Sequence, residues 1–109
     1  MSGQLTLTKS FVCSTAGNNT ILSPRNGKLK IFSVIIETNA DITGEVLIKL
    51  GMEIISGSRN PKTGAMYGFN HHPNFLEGKM GESLVVNLPS STAITVNVTW
   101  REAPDYSAG

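Results

Sequence analysis

Strict alternation of apolar and polar residues recurs along this chain, most clearly in TAITVNVTWRE at positions 92–102. Successive side chains of an extended strand point to opposite faces of a sheet, so the pattern predicts a strand that is buried on one face. The residues predicted to face the core are Ile94, Val96, Val98 and Trp100. No segment places apolar residues at helical spacing over three turns, and we therefore predict no long helix.

Shorter segments with the same period-two pattern are separated by turns rich in Gly, Pro, Asn, Asp and Ser. The segment STAGNNT at 14–20 lacks this alternation, and we predict a loop there. About seven or eight short strands with turns between them are typical of an antiparallel β-sandwich, so we predict an all-β, jelly-roll-like fold. The 109 residues suffice for one two-layered domain, assigned to 1–103, with 104–109 as a C-terminal tail.

The segment KLKIFSVIIET at 28–38 is apolar on both faces of its predicted strand. Leu29, Ile31 and Ile35 fall on one face, and Phe32, Val34 and Ile36 fall on the other. A sandwich strand has a single core face, so the second set needs a cover, either from a loop of the same chain or from another subunit. We favour another subunit and predict self-association as a homotrimer, which suits closed point-group symmetry.

The segment YGFNHHPNFLEG at 67–78 contains both histidines and three of the aromatic residues. His71 and His72 are adjacent, so on an extended backbone they point to opposite sides, and adjacent histidines form a poor chelate. We predict no metal site and no cofactor. Tyr67, Phe69 and Phe75 allow two interpretations. One is a stacking platform for sugars; the other, which we favour, is that Phe69 and Phe75 plug the end of the sandwich and pin a long connection.

The candidate interface drawn from both segments consists of Phe32, Val34, Ile36, Tyr67, His71, His72 and Phe75.

Composition excludes several classes of function. Nine basic and eight acidic residues give a formal net charge of +1. A nucleic-acid-binding protein needs a clearly basic surface, so this charge argues against that class. No apolar run approaches the roughly 18 residues of a membrane span, and the first residues lack the apolar core of a signal peptide. The single cysteine, Cys13, rules out an intrachain disulfide and is interpreted as a small hydrophobic side chain. No nucleophile elbow or phosphate-binding loop is present, so a hydrolase would rest on the two histidines alone.

Two runs of the chain carry a resemblance to a known group of proteins. NGKLKIFSVIIETNADITGEVLIKLG at 26–51 pairs two strands across an Ala-Asp turn, and NHHPNFLEGKMGESLVVNLPSSTAITVNVTWREA at 70–103 begins with Asn-x-x-Pro-x-aromatic-x-Glu. Together, over 26–103, they resemble small β-sandwich structural proteins of tailed bacteriophages, including capsid decoration and head-fibre proteins.

The resemblance implies a non-enzymatic virion protein that is made in the host cytoplasm and lies on the capsid surface. Its implied partners are itself and the major capsid protein or another virion protein. The alternative is a carbohydrate- or receptor-binding module of a phage tail or fibre, which requires Tyr67 and Phe75 to be exposed to solvent.

Overall fold

The computed structural model describes residues 6–25, 27–71 and 74–104, and within them the chain forms nine β-strands and no helix. The predicted all-β antiparallel sandwich is confirmed, with nine strands rather than seven or eight. Apart from Pro104, the predicted tail lies outside the described residues. The strands are β1 (Leu7–Cys13), β2 (Gly17–Leu22), β3 (Gly27–Thr38), β4 (Glu45–Leu50), β5 (Glu53–Arg59), β6 (Met66–Asn70), β7 (Leu76–Glu77), β8 (Leu84–Leu88) and β9 (Ile94–Pro104).

The strands form two sheets. Sheet A has the order β1-β9-β3-β6, and the short β7 also pairs with β3. Sheet B has the order β2-β8-β4-β5. Apolar side chains from both sheets meet between them and form a single core, in which the largest fully buried residues are Leu29, Ile31, Val34, Ile36, Val46, Ile48, Leu84, Leu88, Val86, Ile94, Val96 and Val98. No helix in the described part of the chain has the length and apolarity to cross a membrane.

Strand β9 lies between β1 and β3 and supplies the centre of the core from sheet A. Its predicted register is confirmed, because Ile94, Val96 and Val98 are fully buried and Trp100 is only 7% exposed. The polar residues between them therefore point to the outer face of the sheet.

Strand β3 contains a β-bulge that the alternation of its sequence does not reveal. Ile31 pairs with Trp100 while Ser33 pairs with the preceding residue of β9, so Phe32 is an extra residue in the ladder. The bulge reverses the alternation, and Val34 and Ile36 consequently enter the core at 0% exposure. The prediction that Val34 and Ile36 share an outer face with Phe32 is wrong.

Strand β2 occupies part of the segment predicted to be a loop. It begins at Gly17 and pairs with β8, so that Asn19 is opposite Val86 on the core side of sheet B. The Asn19 side-chain amide donates hydrogen bonds to the carbonyl oxygens of Thr15 at 2.8 Å, Gly17 at 3.1 Å and Val86 at 3.3 Å. These bonds satisfy a polar side chain at a half-buried position, where the alternation pattern expects an apolar one.

Strand β6 approaches β3 closely at Gly68, which is paired with Ile35. Gly68 has a φ of +139°, a conformation that disfavours any residue with a Cβ atom. A Cβ atom built there would also lie 1.9 Å from the carbonyl oxygen of Val34. Only glycine therefore lets β6 pair with the edge of β3 at this point.

Gly68→Ala is expected to lower the free energy of unfolding by about 3 kcal/mol, because the clash is with backbone and adds to an unfavourable φ. Gly64→Ala is the matched control, since Gly64 has a φ of +82° but open space around its Cβ position. That change should cost about 1–2 kcal/mol from backbone conformation alone. Urea denaturation of both variants measures the difference, and equal losses would contradict a close approach at Gly68.

Candidate functional site

Residues 67–71 and 74–78 lie along the edge of β3 that faces away from β9, and they are hydrogen-bonded to it at several points. β6 pairs with the second half of β3, and β7 pairs with Lys30 and Ile31. Between these pairings, the His71 amide donates to the Phe32 carbonyl oxygen at 2.8 Å, and after β7 the Gly78 amide donates to that of Leu29 at 2.9 Å. The described parts of this connection therefore lie along β3, the strand that contains the bulge.

The bulged residue Phe32 is covered by this connection on the outer side of sheet A. Phe32 is only 4% exposed although it lies outside the core cluster. Its ring contacts that of Phe75 edge-on, with centroids 5.7 Å apart at 73°. The Phe75 ring therefore packs on Phe32 and holds the connection there, and the cover for Phe32 comes from the chain itself rather than from another subunit.

Two cations border this aromatic pair. The Lys30 ammonium lies 5.0 Å from the centroid of the Phe75 ring, and the Arg101 guanidinium lies 5.5 Å from that of Phe32. Such contacts contribute about 0.5–1 kcal/mol each at exposed sites. We call these four residues, Phe32, Phe75, Lys30 and Arg101, the aromatic–cationic corner.

Beyond the corner, the outer face of sheet A consists of short, mostly neutral side chains in rows across four strands. Residues directly opposite each other in antiparallel strands point to the same face, so the registers define the rows. From the corner outward, the rows are Thr8, Thr99, Ser33 and Asn70; then Ser10, Asn97, Ile35 and Gly68; then Val12, Thr95, Glu37 and Met66.

Hydrogen bonds join neighbouring strands within two of these rows. The hydroxyls of Thr8 and Thr99 are 3.1 Å apart, and the Ser10 hydroxyl donates to the side-chain oxygen of Asn97. The Asn97 amide group lies 3.4 Å from the carbonyl oxygen of Ile35. Several polar groups on the outer face of sheet A are therefore held in place by hydrogen bonds.

Tyr67 points toward the core rather than into solvent. Its hydroxyl is enclosed, as is that of Thr38, which is 1% exposed, and neither oxygen has a hydrogen-bond partner among the described residues. Burial raises the pKa of Tyr67; the nearby Thr38 hydroxyl opposes this rise, and the Cys13 thiol adds to it. The two hydroxyls thus lie close enough to influence each other without forming a hydrogen bond of normal geometry.

The double variant Thr38→Val/Tyr67→Phe is expected to be at least as stable as the original protein. Replacing two buried, unsatisfied polar groups by apolar groups of the same shape removes a desolvation cost of roughly 1–3 kcal/mol per group. Urea denaturation at neutral pH measures the change. A loss of more than about 1 kcal/mol in the double variant would show that the hydroxyls are satisfied in solution.

Among the residues that the structure describes, side chains able to bind a metal ion are not gathered into one site. The exposed His71 ring stacks on Phe69 with centroids 5.0 Å apart, and His72 lies outside the described residues. The Asp41 carboxylate accepts hydrogen bonds from the Thr63 amide at 2.8 Å and the Thr63 hydroxyl at 2.9 Å, which lower its pKa. Within the described ranges, no group of three or more His, Cys, Asp or Glu residues is placed to hold a metal ion.

Cys13 is half-buried beside the core at the end of β1. Burial raises the pKa of its thiol, so the neutral form that packs as a small hydrophobic group is favoured.

The structure separates the five apolar and aromatic members of the predicted interface into three groups. Val34 and Ile36 are core residues, and Tyr67 is half-buried with its hydroxyl enclosed. Phe32 and Phe75 meet in the aromatic–cationic corner, where Phe75 is 42% exposed. Of the two aromatic residues that the carbohydrate-binding alternative requires to be exposed, only Phe75 meets that condition.

The cations Lys30 and Arg101 were missed by sequence reasoning. They lie opposite each other in the β3–β9 register. Only that register brings them to the same aromatic pair, since they are distant in sequence and belong to no motif.

A scan against protein-family models and a search of curated protein sequences each found no match to this chain.

Proposed function

We propose that this protein is a non-enzymatic structural protein of a bacteriophage virion, which coats or stabilises the capsid by binding its lattice. The observation that carries the proposal is the outer face of sheet A, where short, mostly neutral side chains lie in rows across four strands. A face with many hydrogen-bond donors and acceptors suits a broad contact with another protein surface. The resemblance of residues 26–103 to small phage structural proteins supports the same role.

Two exposed apolar residues fit this contact. Val12 is 72% exposed and Met66 is 66% exposed, and both lie in the row farthest from the aromatic–cationic corner, at opposite edges of sheet A. A partner that covered the whole outer face would remove both side chains from water. Burial of each would contribute up to roughly 1.5–3 kcal/mol to binding.

The order of the strands supports the proposal by analogy. The sheets β1-β9-β3-β6 and β2-β8-β4-β5 have the strand order expected of an eight-stranded jelly roll to which β7 is added. Jelly rolls are frequent in viral capsid proteins and also in lectins. Fold analogy favours such a role, but the function itself must be argued from the residues on the surface.

A homotrimer that matches the three-fold positions of a capsid is part of the proposal and rests on symmetry. The side chains of Phe32, Val34 and Ile36 do not support a trimer interface. Phe32 is covered by Phe75, and Val34 and Ile36 lie in the core.

The proposal is tested by mass spectrometry and cryo-EM of purified particles from cells that produce this protein and its phage. We expect peptides of this chain in a fixed ratio to the major capsid protein, with sandwich-shaped density on the capsid surface. Protein that stays in the soluble fraction while particles assemble without it would contradict the proposal.

A pair of variants locates the contact. Thr99→Lys places a charge in the middle of the outer face of sheet A and should abolish binding to particles. Thr20→Lys is the matched control on the outer face of sheet B, where Thr20 is exposed and opposite Val85. Loss of binding in the control alone would move the contact to sheet B.

A further inference from the structure

We propose that the aromatic–cationic corner is a binding site for an acidic oligosaccharide. In this assignment a sugar ring packs on Phe75, its carboxylate is held by Lys30 and Arg101, and its hydroxyls meet the adjacent row of the outer face. The inference concerns the chemistry of the corner and does not depend on a role in the virion.

The first step is the ring surface. Phe75 is 42% exposed even though it contacts Phe32 and lies under the Lys30 ammonium. Phe32 holds the ring from beneath, and the Gly78 amide anchors the chain just after β7 to the Leu29 carbonyl oxygen. An aromatic ring that is both exposed and held in place offers apolar contact area at small entropic cost.

The second step is charge. Within the described residues Lys30 forms no ion pair, and Arg101 donates only to the Thr6 hydroxyl, from Nε at 3.2 Å and Nη2 at 2.8 Å. Lys28 precedes Lys30 by two residues on the same side of β3, and Glu77 is opposite Lys30. These side chains give a local charge of 3 − 1 = +2.

The size of this charge favours a carboxylated sugar over a nucleic acid. A protein that holds nucleic acid by about 6–10 phosphate contacts needs a correspondingly larger basic surface. Two net positive charges beside a single exposed ring match one or two carboxylates. Arginine is suited to such a group, because its planar guanidinium matches carboxylate geometry.

The third step is the row next to the corner. Ser33 and Thr99 face each other there, and the Ser33 hydroxyl has no hydrogen-bond partner within the described part of the chain. Hydroxyl groups both donate and accept, as sugar hydroxyls do. A sugar extended from Phe75 toward these residues would meet matching groups, whereas an acidic peptide would present few hydroxyls to them.

The experiment is an amide-NMR titration of the intact protein. The probes are tetragalacturonate and a sialic acid trimer, and the controls are carboxyl-reduced tetragalacturonate and hexaglutamate. We expect both acidic sugars to shift amide signals around Phe75, Lys30 and Arg101, and the two controls to bind at least about tenfold more weakly. Higher salt should weaken the acidic sugars, since the contact is exposed and electrostatic.

Variants make the assignment specific. Lys30→Gln should weaken the acidic sugars about tenfold, and Lys30→Arg should restore most of the affinity. Phe75→Ala should weaken them similarly, while Lys49→Gln on the outer face of sheet B should change nothing. If Phe75→Ala shifts amide signals far from the corner, that variant has altered the fold. The comparison of Lys30→Gln with Lys30→Arg then decides whether the corner binds the sugars.

Several results would overturn the site. These are no shift with either acidic sugar at about 10 mM, equal binding of the reduced sugar or of hexaglutamate, or an equal loss in Lys49→Gln. Because these experiments use no phage particle, failure here and failure of the virion role are seen separately.

Discussion

Val34→Asp is expected to unfold the protein rather than to dissociate an oligomer. Val34 is fully buried between its register partners Val98 on β9 and Phe69 on β6, and no cation lies among these partners. A carboxylate placed there must either remain charged without a partner or take up a proton at a cost. We expect a loss of about 4 kcal/mol or more, which is a large part of the roughly 5–15 kcal/mol that stabilises a typical domain. Far-UV circular dichroism and urea denaturation measure it.

Ser33→Asp is the matched control, one residue earlier on the same strand. Ser33 points to the outer face between Thr99 and Asn70, so the same charge remains in contact with water. Its effect should lie within about 0.5 kcal/mol. A folded Val34→Asp variant with an unchanged urea midpoint would mean that Val34 lies on the outer face, where we predicted it from the sequence.

The contrast between these neighbours shows where sequence reasoning fails for this fold. Alternation identifies β9 well, because one face of that strand is polar throughout. In β3 both faces are apolar, so the pattern cannot say which set is buried. A single extra residue, Phe32, reverses the alternation midway, and this depends on how β3 matches β9.

The candidate site was predictable only in its aromatic part. Phe75 was predicted to pin the connection, and its ring packs against Phe32. Lys30 and Arg101 join it through cross-strand register, which a single sequence does not contain. Strand β2 escaped prediction for a related reason, since Asn19 is satisfied by backbone carbonyls that only the folded chain brings near.

Trp100→Ala is expected to cost about 3–5 kcal/mol of unfolding free energy. Trp100 is 7% exposed, lies opposite Leu7 and Ile31, and has its ring centroid 6.2 Å from that of Phe11. Removing the indole leaves a cavity at the junction of three strands of sheet A, where neighbouring backbones are held by their ladders and cannot close in. Urea denaturation followed by circular dichroism measures the loss, because the variant lacks the chain's only tryptophan.

Trp100→Phe separates loss of volume from loss of aromatic contact. It keeps a ring against Phe11 and should retain more than half of the stability that the alanine variant loses. The intact protein supplies a second measurement, since a buried indole emits at shorter wavelength than one in water. A blue-shifted maximum that moves to the solvent value in the same urea range as the circular dichroism signal is expected. Emission at the solvent value before any urea is added would place Trp100 outside the core and contradict the register of β9.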